Sequence, residues 1–273
     1  MHKITAASIL KAAVFTAALA LVPLKSAGAD TEITLFGSTT VQPLAEKLGE
    51  AFEALHSDIM VTVGGGGSSV GVKAAGEGTA DIGMASREVK ESEFQEFPGI
   101  VVHTIARDGI AIVAHPGVSV SNLTVEQVRQ IFSGEISNWS GVGGPNQVIV
   151  VIAREEGSGT RAAFEELVMD EALITSGAIL LPSNGAVRTS VSTTPNSIAF
   201  LSFGYLDPSV RGLSIEGIEP SVSNAKTGIY PVVRPLNMIT PGPAGGAAAR
   251  FLEFIMSPDG QAIVSSEGYI SVI

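Results

Sequence analysis

Residues 150–160 read VVIAREEGSGT and contain the local pattern that decides the fold. An apolar β-type run is followed by a Gly/Ser/Thr turn, and the turn opens a helix. The same order recurs in residues 33–40 (ITLFGSTT) and in residues 60–69 (MVTVGGGGSS). Because short β-runs that alternate with amphipathic segments are typical of α/β proteins, these stretches predict an α/β fold.

Each of the three turns also has the chemistry of an anion site. A helix N-terminus leaves backbone N–H groups without intrahelical partners and carries the positive end of the helix dipole. Glycines let successive amides converge, and Arg154, four residues before Ser158, adds a planar guanidinium that fits an oxyanion. A single turn of this kind is more often a plain helix cap, but three in one chain favour a binding site.

A fourth element ends in a hydroxyl and a second guanidinium. The short apolar run at 82–85 is followed by Ser86 and Arg87. Both could join the same site, although a surface arginine at a strand end explains Arg87 equally well.

Periodicity predicts the remaining elements. Helices are expected over 41–55, 69–76, 124–132, 159–170, 183–191, 247–256 and 258–266, with a capping box from Thr124 to Gln127. Apolar runs at 33–36, 59–63, 82–85, 101–105, 110–114, 148–153 and 198–202 are expected to form strands. Residues 230–236 should be extended, because Pro231 and Pro235 exclude a helix interior.

The first residues predict export. Lys3 and Lys11 give a positively charged start, and an apolar run follows over 12–24. Residues 27–29 (AGA) then form a small-residue cleavage site. Residues 1–29 are therefore expected to be a cleaved signal peptide, since the run is too short for a comfortable membrane span. The chain has no cysteine, so we expect a periplasmic protein without disulfides or a lipid anchor.

Composition argues against a nucleic-acid partner. The chain has 16 Lys and Arg against 27 Asp and Glu, a formal net charge of −11. Phosphate backbones require clustered basic residues, whereas the site of a small anion can be built from local dipoles.

Enzyme motifs are weak. There is no nucleotide-binding P-loop, and the histidines show no metal-ligand spacing, so we expect no metal and no cofactor. Residues 67–71 (GSSVG) match a nucleophile elbow, which leaves a secreted serine hydrolase using Ser69, with His103 or His115 as base, as an alternative. The glycine run at 64–67 fits anion contact better than an elbow, and we therefore expect a binding protein and not an enzyme.

These stretches resemble the periplasmic phosphate-binding proteins that feed ABC-type phosphate importers, over essentially all of the chain after the leader. Residues 37–41 resemble the first loop of the family, 67–73 the second, and 154–160 its most specific motif. Residues 131–139 and 257–261 are also similar, in parts whose role is structural.

The resemblance implies a two-lobed periplasmic-binding-protein fold of type II, which closes on its ligand. The chain would cross between the lobes near 112–115 and again near 230–234, so that these segments form a hinge. Lobe one would hold 30–113 and 232–273, and lobe two 114–231. The implied ligand is inorganic phosphate and the implied partner is an ABC-type membrane permease, with the receptor itself expected to be a monomer.

The resemblance also implies the site residues. It gives ligand contacts to the first loop (Ser38, Thr39, Thr40), to the second loop (Ser68), and to the specific motif (Arg154, Ser158, Gly159, Thr160). Glu156 falls where an acid holds the arginine in place in the family.

One position departs from the family pattern. Ser86 and Arg87 stand where the best-known members have an aspartate that accepts the proton retained by phosphate. A site made only of donors cannot separate phosphate from sulfate by proton acceptance, so sulfate, molybdate and tungstate remain alternative ligands. Asp108 is the candidate for the missing acceptor, and a simple turn cap before a strand is the other interpretation of this residue.

Overall fold

The computed structural model describes residues 31–273, and the predicted leader and its cleavage site lie outside the described residues. The strands are β1 (Thr31–Gly37), β2 (Ile59–Gly65), β3 (Ile82–Ala85), β4 (Val101–Ala114), β5 (Asn122–Leu123), β6 (Val150–Arg154), β7 (Ile179–Leu181), β8 (Ser197–Ser202), β9 (Arg211–Gly212), β10 (Ser214–Ile215) and β11 (Val233–Thr240). The α-helices are α1 (Gln42–Leu55), α2 (Ser68–Gly76), α3 (Glu91–Glu96), α4 (Val125–Ser133), α5 (Gly159–Phe164), α6 (Asn184–Thr193), α7 (Val222–Lys226), α8 (Gly246–Met256) and α9 (Pro258–Ser266).

One mixed sheet runs in the order β2-β1-β3-β11-β4-β8-β6-β7, with β9 paired to β4. β1 is parallel to β2 and β3, and β6 is parallel to β7 and β8. The long strand β4 is antiparallel to both β11 and β8. Each of β1, β2 and β6 leads through a short turn into a helix, namely α1, α2 and α5. The α/β class predicted from the sequence is confirmed.

The strand β4 joins two segments that the sequence predicts as separate strands. Its first part, up to Gly109, pairs with β11, and its second part, from Ile110, pairs with β8. The polar residues in the middle stay extended because each has a partner on a neighbouring segment. Arg107 exchanges backbone hydrogen bonds with Ile270, and Asp108 faces Arg234 across the β4–β11 pairing.

Buried apolar side chains form two main bodies. One cluster draws on residues 110–232 together with Ile270. The second body consists of two smaller clusters, both drawn from residues 33–106 and 236–269. The chain therefore passes from one body to the other in β4 and returns in the first residues of β11. The lobe boundaries drawn from the sequence remain a prediction.

Helix α1 shows how the periodicity works and where it ends. Leu44, Leu48 and Phe52 are spaced by four residues and are fully buried, as predicted. Leu55 shares that face in the predicted pattern, yet it is 66% exposed because it is the last helical residue and projects beyond the core.

The predicted capping box of α4 is confirmed, since Thr124 Oγ1 accepts from Gln127 N and Gln127 Oε1 accepts from Thr124 N.

Other differences from the predicted elements have local causes. The helix expected over 159–170 ends as α-helix at Phe164 and continues as a π-helical turn over Glu165–Met169. The short helix α3 is missing from the predictions because it buries no residue and so has no apolar periodicity. None of the described helices combines the length and the apolar character that crossing a bilayer requires.

Candidate anion-binding site

The predicted turns meet in space between the two hydrophobic bodies. The Ser69 N–H, at the start of α2, donates to the Gly157 carbonyl oxygen at 3.1 Å. The Thr40 and Thr160 hydroxyl oxygens lie 3.1 Å apart, although 120 residues separate them in the sequence. The turns that follow β1, β2 and β6 therefore face one another.

Two glycines permit this approach. Gly67 has a φ of +96°, a conformation that L-residues rarely adopt, and a Cβ placed on it would lie 3.0 Å from the Gly157 carbonyl oxygen. A Cβ placed on Gly159 would overlap the hydroxyl oxygens of Ser68 and Ser86. The N-terminus of α5 thus packs directly on the hydroxyls at the ends of β2 and β3.

Two of the predicted hydroxyls accept hydrogen bonds from backbone amides a few residues further along the chain. Ser38 Oγ accepts from Thr40 N at 3.2 Å, just before α1. Ser158 Oγ accepts from Arg161 N at 3.2 Å and is the N-cap of α5. Both serines are buried, so these local hydrogen bonds hold the two turns in shape.

The other hydroxyls connect different elements. Ser68 Oγ accepts from Ser86 N at 3.0 Å and lies 3.5 Å from Ser86 Oγ. Thr40 Oγ1 accepts from Asn184 Nδ2 at 2.8 Å and contacts Thr160. All five residues are buried, and they form a polar layer inside an otherwise apolar protein.

Arg154 reaches this layer from the end of β6. Its Nε donates to the Leu181 carbonyl oxygen at 3.2 Å, and its Nη2 donates to the Pro182 carbonyl oxygen at 2.8 Å and to Thr39 Oγ1 at 3.3 Å. Its Nη1 is buried and has no hydrogen-bond partner among the described residues. Burial lowers the pKa of Arg154 to about 10, and the charge of Arg234 acts in the same direction. The side chain is therefore still cationic at neutral pH.

The acid expected to hold Arg154 does not do so. Glu156 is exposed, and Arg154 makes no salt bridge in the described part of the chain. The carbonyl oxygens of Leu181 and Pro182, at the end of β7, hold the guanidinium instead. They leave the positive charge of the guanidinium unneutralised, which suits an anionic ligand.

A second buried guanidinium, that of Arg234, contacts the same turn as the first. Its Nε and Nη2 donate to Asp108 Oδ2 at 3.2 and 2.8 Å, and its Nη2 lies 3.4 Å from Thr40 Oγ1. Like that of Arg154, its Nη1 is buried without a hydrogen-bond partner in residues 31–273. The side chains of Arg234 and Asp108 are 1% and 0% exposed.

The place of Asp108 differs from the one expected for a free acceptor. Its carboxylate is occupied by Arg234, and its Oδ1 also accepts from Phe203 N at 3.2 Å. Burial raises the pKa of Asp108, while the Arg234 guanidinium offsets part of that rise. A buried carboxylate without a partner would be strongly destabilising, so this pairing is the physical reason for its orientation.

Arg87 lies beside the second turn but is neutralised there. Both of its terminal nitrogens donate to the Glu93 carboxylate, at 2.8 and 2.7 Å, and Nη2 also donates to Ser69 Oγ at 3.1 Å. The side chain is 3% exposed, so the interpretation as a surface arginine is wrong. Its charge is shared with Glu93, in contrast to that of Arg154.

The geometry does not support the hydrolase alternative. The partner of Ser69 Oγ is Arg87, and no histidine bonds to Ser69 within the described residues. His103 Nε2 lies 3.0 Å from Thr240 Oγ1, and His115 Nδ1 accepts from Gly117 N at 3.0 Å. A nucleophile needs a base within hydrogen-bond reach, and neither histidine occupies that place.

Arg234 and Asn184 are site residues that sequence reasoning missed. Arg234 lies in the buried strand β11. A charged residue within a segment predicted to be extended and apolar was the signal that could have marked it as a site residue. Asn184, at the start of α6, is fully buried, with Ser202 N donating to its Oδ1 at 3.3 Å. Nothing local in the sequence distinguishes it from an ordinary residue of a helix start.

Together these groups make a compact set of hydrogen-bond donors around two cations. The donors are guanidinium N–H groups, hydroxyls and the backbone amides of the converging turns. A cavity of about 210 Å³, lined in part by Thr39, Gly67, Arg154 and Ser158, opens beside them. Such an arrangement can hold a small oxyanion by charge-assisted hydrogen bonds.

Comparisons with known proteins identify the family of the chain. The profile of the PBP superfamily domain matches residues 24–259. The phosphate-binding protein PstS of Bacillus subtilis (strain 168) is 35% identical over 246 residues, which is 89% of this chain and 82% of that protein.

Solved structures give the same result. A substrate-binding protein of Clostridium perfringens assigned to phosphate ABC transport, with bound phosphate, has a TM-score of 0.85 and 36% identity, covering 89% of this chain and 100% of that one. An ABC-type phosphate transport receptor from Vibrio cholerae has a TM-score of 0.74 and 34% identity, covering 88% and 99%. The two-lobed periplasmic-binding-protein fold is thereby confirmed. The chain belongs to the PBP superfamily and, within it, to the PstS-like family of phosphate-binding proteins.

Proposed function

We propose that this protein is an extracytoplasmic receptor that binds inorganic phosphate between its two lobes and delivers it to an ABC importer. The observation that carries the proposal is the pair of buried guanidinium groups, Arg154 and Arg234, each with one nitrogen that has no partner among the described residues. Arg154 has no counter-charge and Arg234 shares Asp108, so an anion that accepts from the two unpartnered nitrogens would offset the desolvation of these cations.

The proposed ligand contacts come from the converging turns. They are Ser38, Thr39, Thr40, Ser68, Ser86, Arg154, Ser158, Gly159 and Thr160. Arg87 and Asp108 belong to the same site, where each is already paired with a charge of opposite sign.

The relatives support this ligand. The matching proteins of Bacillus subtilis and Borreliella burgdorferi are named phosphate-binding proteins, and the Clostridium perfringens structure contains phosphate. A binding protein of this family acts by holding its ligand and not by transforming it, so no catalytic residue is assigned.

Closure of two lobes would bring these groups around the ligand. We propose lobe one as 30–113 with 232–273, lobe two as 114–231, and the hinge at 112–115 and 230–234. We also propose a periplasmic monomer, released after cleavage of residues 1–29, with no nucleic-acid partner. The intact mass of the exported protein should correspond to a chain that begins at or within a few residues of Asp30.

A different tetrahedral oxyanion is the second candidate. Ser86 takes the place of the family aspartate, and Asp108 is engaged by Arg234, so the described site is rich in donors and poor in free acceptors. Sulfate, molybdate and tungstate need donors only.

Calorimetry separates these candidates. Protein that has been unfolded, dialysed and refolded to remove bound ligand would be titrated with phosphate, sulfate, molybdate and tungstate. The proposal expects phosphate to bind most tightly. Tighter binding of another anion would reassign the ligand, and no binding of any of the four would refute the receptor function.

A further inference from the structure

Arg234 is built into the polar layer in a way that leaves one edge of its guanidinium unused. Nε and Nη2 form the edge that faces Asp108. The second hydrogen of Nη2 is directed toward Thr40 Oγ1, at 3.4 Å, and Nη1 shares that end of the planar group. The Arg234 side chain is only 1% exposed, so bulk solvent does not reach Nη1 to act as its hydrogen-bond partner.

Arg154 has a similar arrangement and contacts the same turn. Its Nε and Nη2 are held by carbonyl oxygens, Nη2 also reaches Thr39, and Nη1 is buried without a partner in the described chain. The two guanidinium groups therefore contact adjacent residues, Thr39 and Thr40. The charge of Arg234 lowers the pKa of Arg154, so the two buried cations repel each other, and an anion between them would offset that repulsion.

Only one of the two cations has a carboxylate. Asp108 is the acidic residue that the described chain buries completely, and it is bonded to Arg234. Arg154, Arg234 and Asp108 together therefore carry one net positive charge. That excess, together with two unused N–H groups, matches an oxyanion and not a neutral ligand.

We propose that Arg234 is a second ligand-contacting residue, whose Nη1 donates to the oxyanion together with Nη1 of Arg154, and that Asp108 is a positioning residue for Arg234. This inference rests on the proposed function. It also changes the role of Asp108, which acts through Arg234 instead of accepting a proton from the ligand.

The hydroxyl network gives Arg234 an indirect effect as well. Thr40 Oγ1 accepts from Asn184 at 2.8 Å and from Arg234 at 3.4 Å, which occupies both of its lone pairs. Its own hydrogen must then be donated, and Thr160 Oγ1 lies 3.1 Å away. Thr160 consequently accepts from Thr40 and has its hydrogen free for a ligand.

The test compares phosphate binding in two variants. Arg234→Lys keeps the charge beside Asp108 but removes the fork that contains Nη1. Arg234→Met combined with Asp108→Asn removes both charges, so that no buried charge is left unpaired. Calorimetric titration with inorganic phosphate should show an affinity about 30-fold or more below that of the parent in each.

A matched pair at the surface serves as the control. Arg250 lies 3.6 Å from Asp58, with both side chains about half exposed. Arg250→Lys, and Arg250→Met combined with Asp58→Asn, should bind phosphate like the parent. Parental affinity in both Arg234 variants would overturn the inference and make the Arg234–Asp108 pair purely structural. Absence of phosphate binding by the parent would instead refute the proposed function.

A second measurement uses the unaltered protein and so does not depend on the folding of any variant. Guanidinium NMR signals of Arg154 and Arg234, assigned by selective labelling, would be followed during titration with phosphate. Both sets should shift and their terminal hydrogens should become protected from exchange. A response of Arg154 alone would overturn the inference even if the variants did not fold.

Discussion

The Tyr205 hydroxyl donates to the Thr39 carbonyl oxygen at 2.8 Å, across 166 residues of sequence. Tyr205 packs against the hydrophobic body of residues 110–232, whereas Thr39 lies in the turn between β1 and α1. The bond therefore ties one body to the ligand turn of the other. The contact between Thr40 and Thr160 is a second link of this kind. Both links exist only while the turns face each other.

Replacing Tyr205 by Phe should loosen that link without disturbing either core. One neutral hydrogen bond contributes about 0.5–1.5 kcal/mol, so phosphate affinity should fall roughly two- to tenfold. Most of the change should appear as faster dissociation, measured by stopped-flow displacement. Ser265→Ala is the control, because its hydroxyl donates to the Gln261 carbonyl oxygen at 3.1 Å within α9, away from the turns and the proposed hinge. Equal dissociation rates for both variants and the parent would contradict a latch at Tyr205.

Gly159→Ala should hinder closure through steric overlap. The added methyl group would overlap the hydroxyl oxygens of Ser68 and Ser86. Both serines are buried, and Ser86 N donates to Ser68 Oγ, so neither can move aside easily. Overpacking costs about 1–3 kcal/mol in the form in which the turns meet, so we expect phosphate affinity to fall by about tenfold. Small-angle scattering should show less compaction on phosphate addition than in the parent.

Gly242→Ala is the matched control for this substitution, since a Cβ there has open space and the backbone is not in the left-handed region. It should leave affinity and compaction unchanged. A Gly159→Ala protein that binds and compacts like the parent would show that the turns do not approach as closely in solution.

The local part of the site was predictable, and the part that depends on strand pairing was not. Gly157, Ser158 and Thr160 indicate a helix start by turn chemistry that acts within a few residues. Arg234, by contrast, meets Asp108 only through the pairing of β11 with β4, 126 positions away in sequence. Short-range patterns carry no information on that register, so the second guanidinium could not be found from them.

Strand β4 illustrates the same limit for the fold. Its apolar ends suggest two strands, because Arg107 and Asp108 interrupt the hydrophobic run. In the folded protein both find partners, at Ile270 and Arg234, and the backbone continues through them. An interrupted pattern marks a strand end only when no neighbouring segment satisfies the interrupting residues.

Phosphate affinity should depend on pH near the pKa of Arg154. Burial lowers this pKa from its ordinary value to about 10 in the ligand-free protein. A bound anion stabilises the charged guanidinium, so binding above this pH must take up a proton and affinity should fall as pH rises through about 10. Below that range the affinity should not change for this reason. Calorimetry in buffers of different ionisation enthalpy would reveal the proton uptake, and its absence at about pH 10 would contradict the assignment.

Loss of Arg154 should weaken binding more than loss of Arg87. Arg154→Ala removes an unneutralised, buried donor and should reduce the binding free energy by about 2–5 kcal/mol. Arg87→Ala removes a guanidinium already paired with Glu93, so its main effect should be on stability, with about 1 kcal/mol or less on binding. Titration calorimetry and thermal melting of both variants would test the contrast. An Arg154→Ala protein with parental affinity would place the ligand elsewhere.

Asp108→Asn should weaken phosphate binding without admitting sulfate. The amide cannot hold the Arg234 guanidinium as the carboxylate does, so the buried cation loses its counter-charge and the Arg234 side chain its fixed orientation. We expect a lower melting temperature and a phosphate affinity reduced by about tenfold or more, with the sulfate-to-phosphate ratio of affinities close to that of the parent. Competition binding with both anions measures this ratio. A variant that keeps phosphate affinity but gains sulfate affinity would show that Asp108 faces the ligand as a proton acceptor, against the positioning role assigned to it.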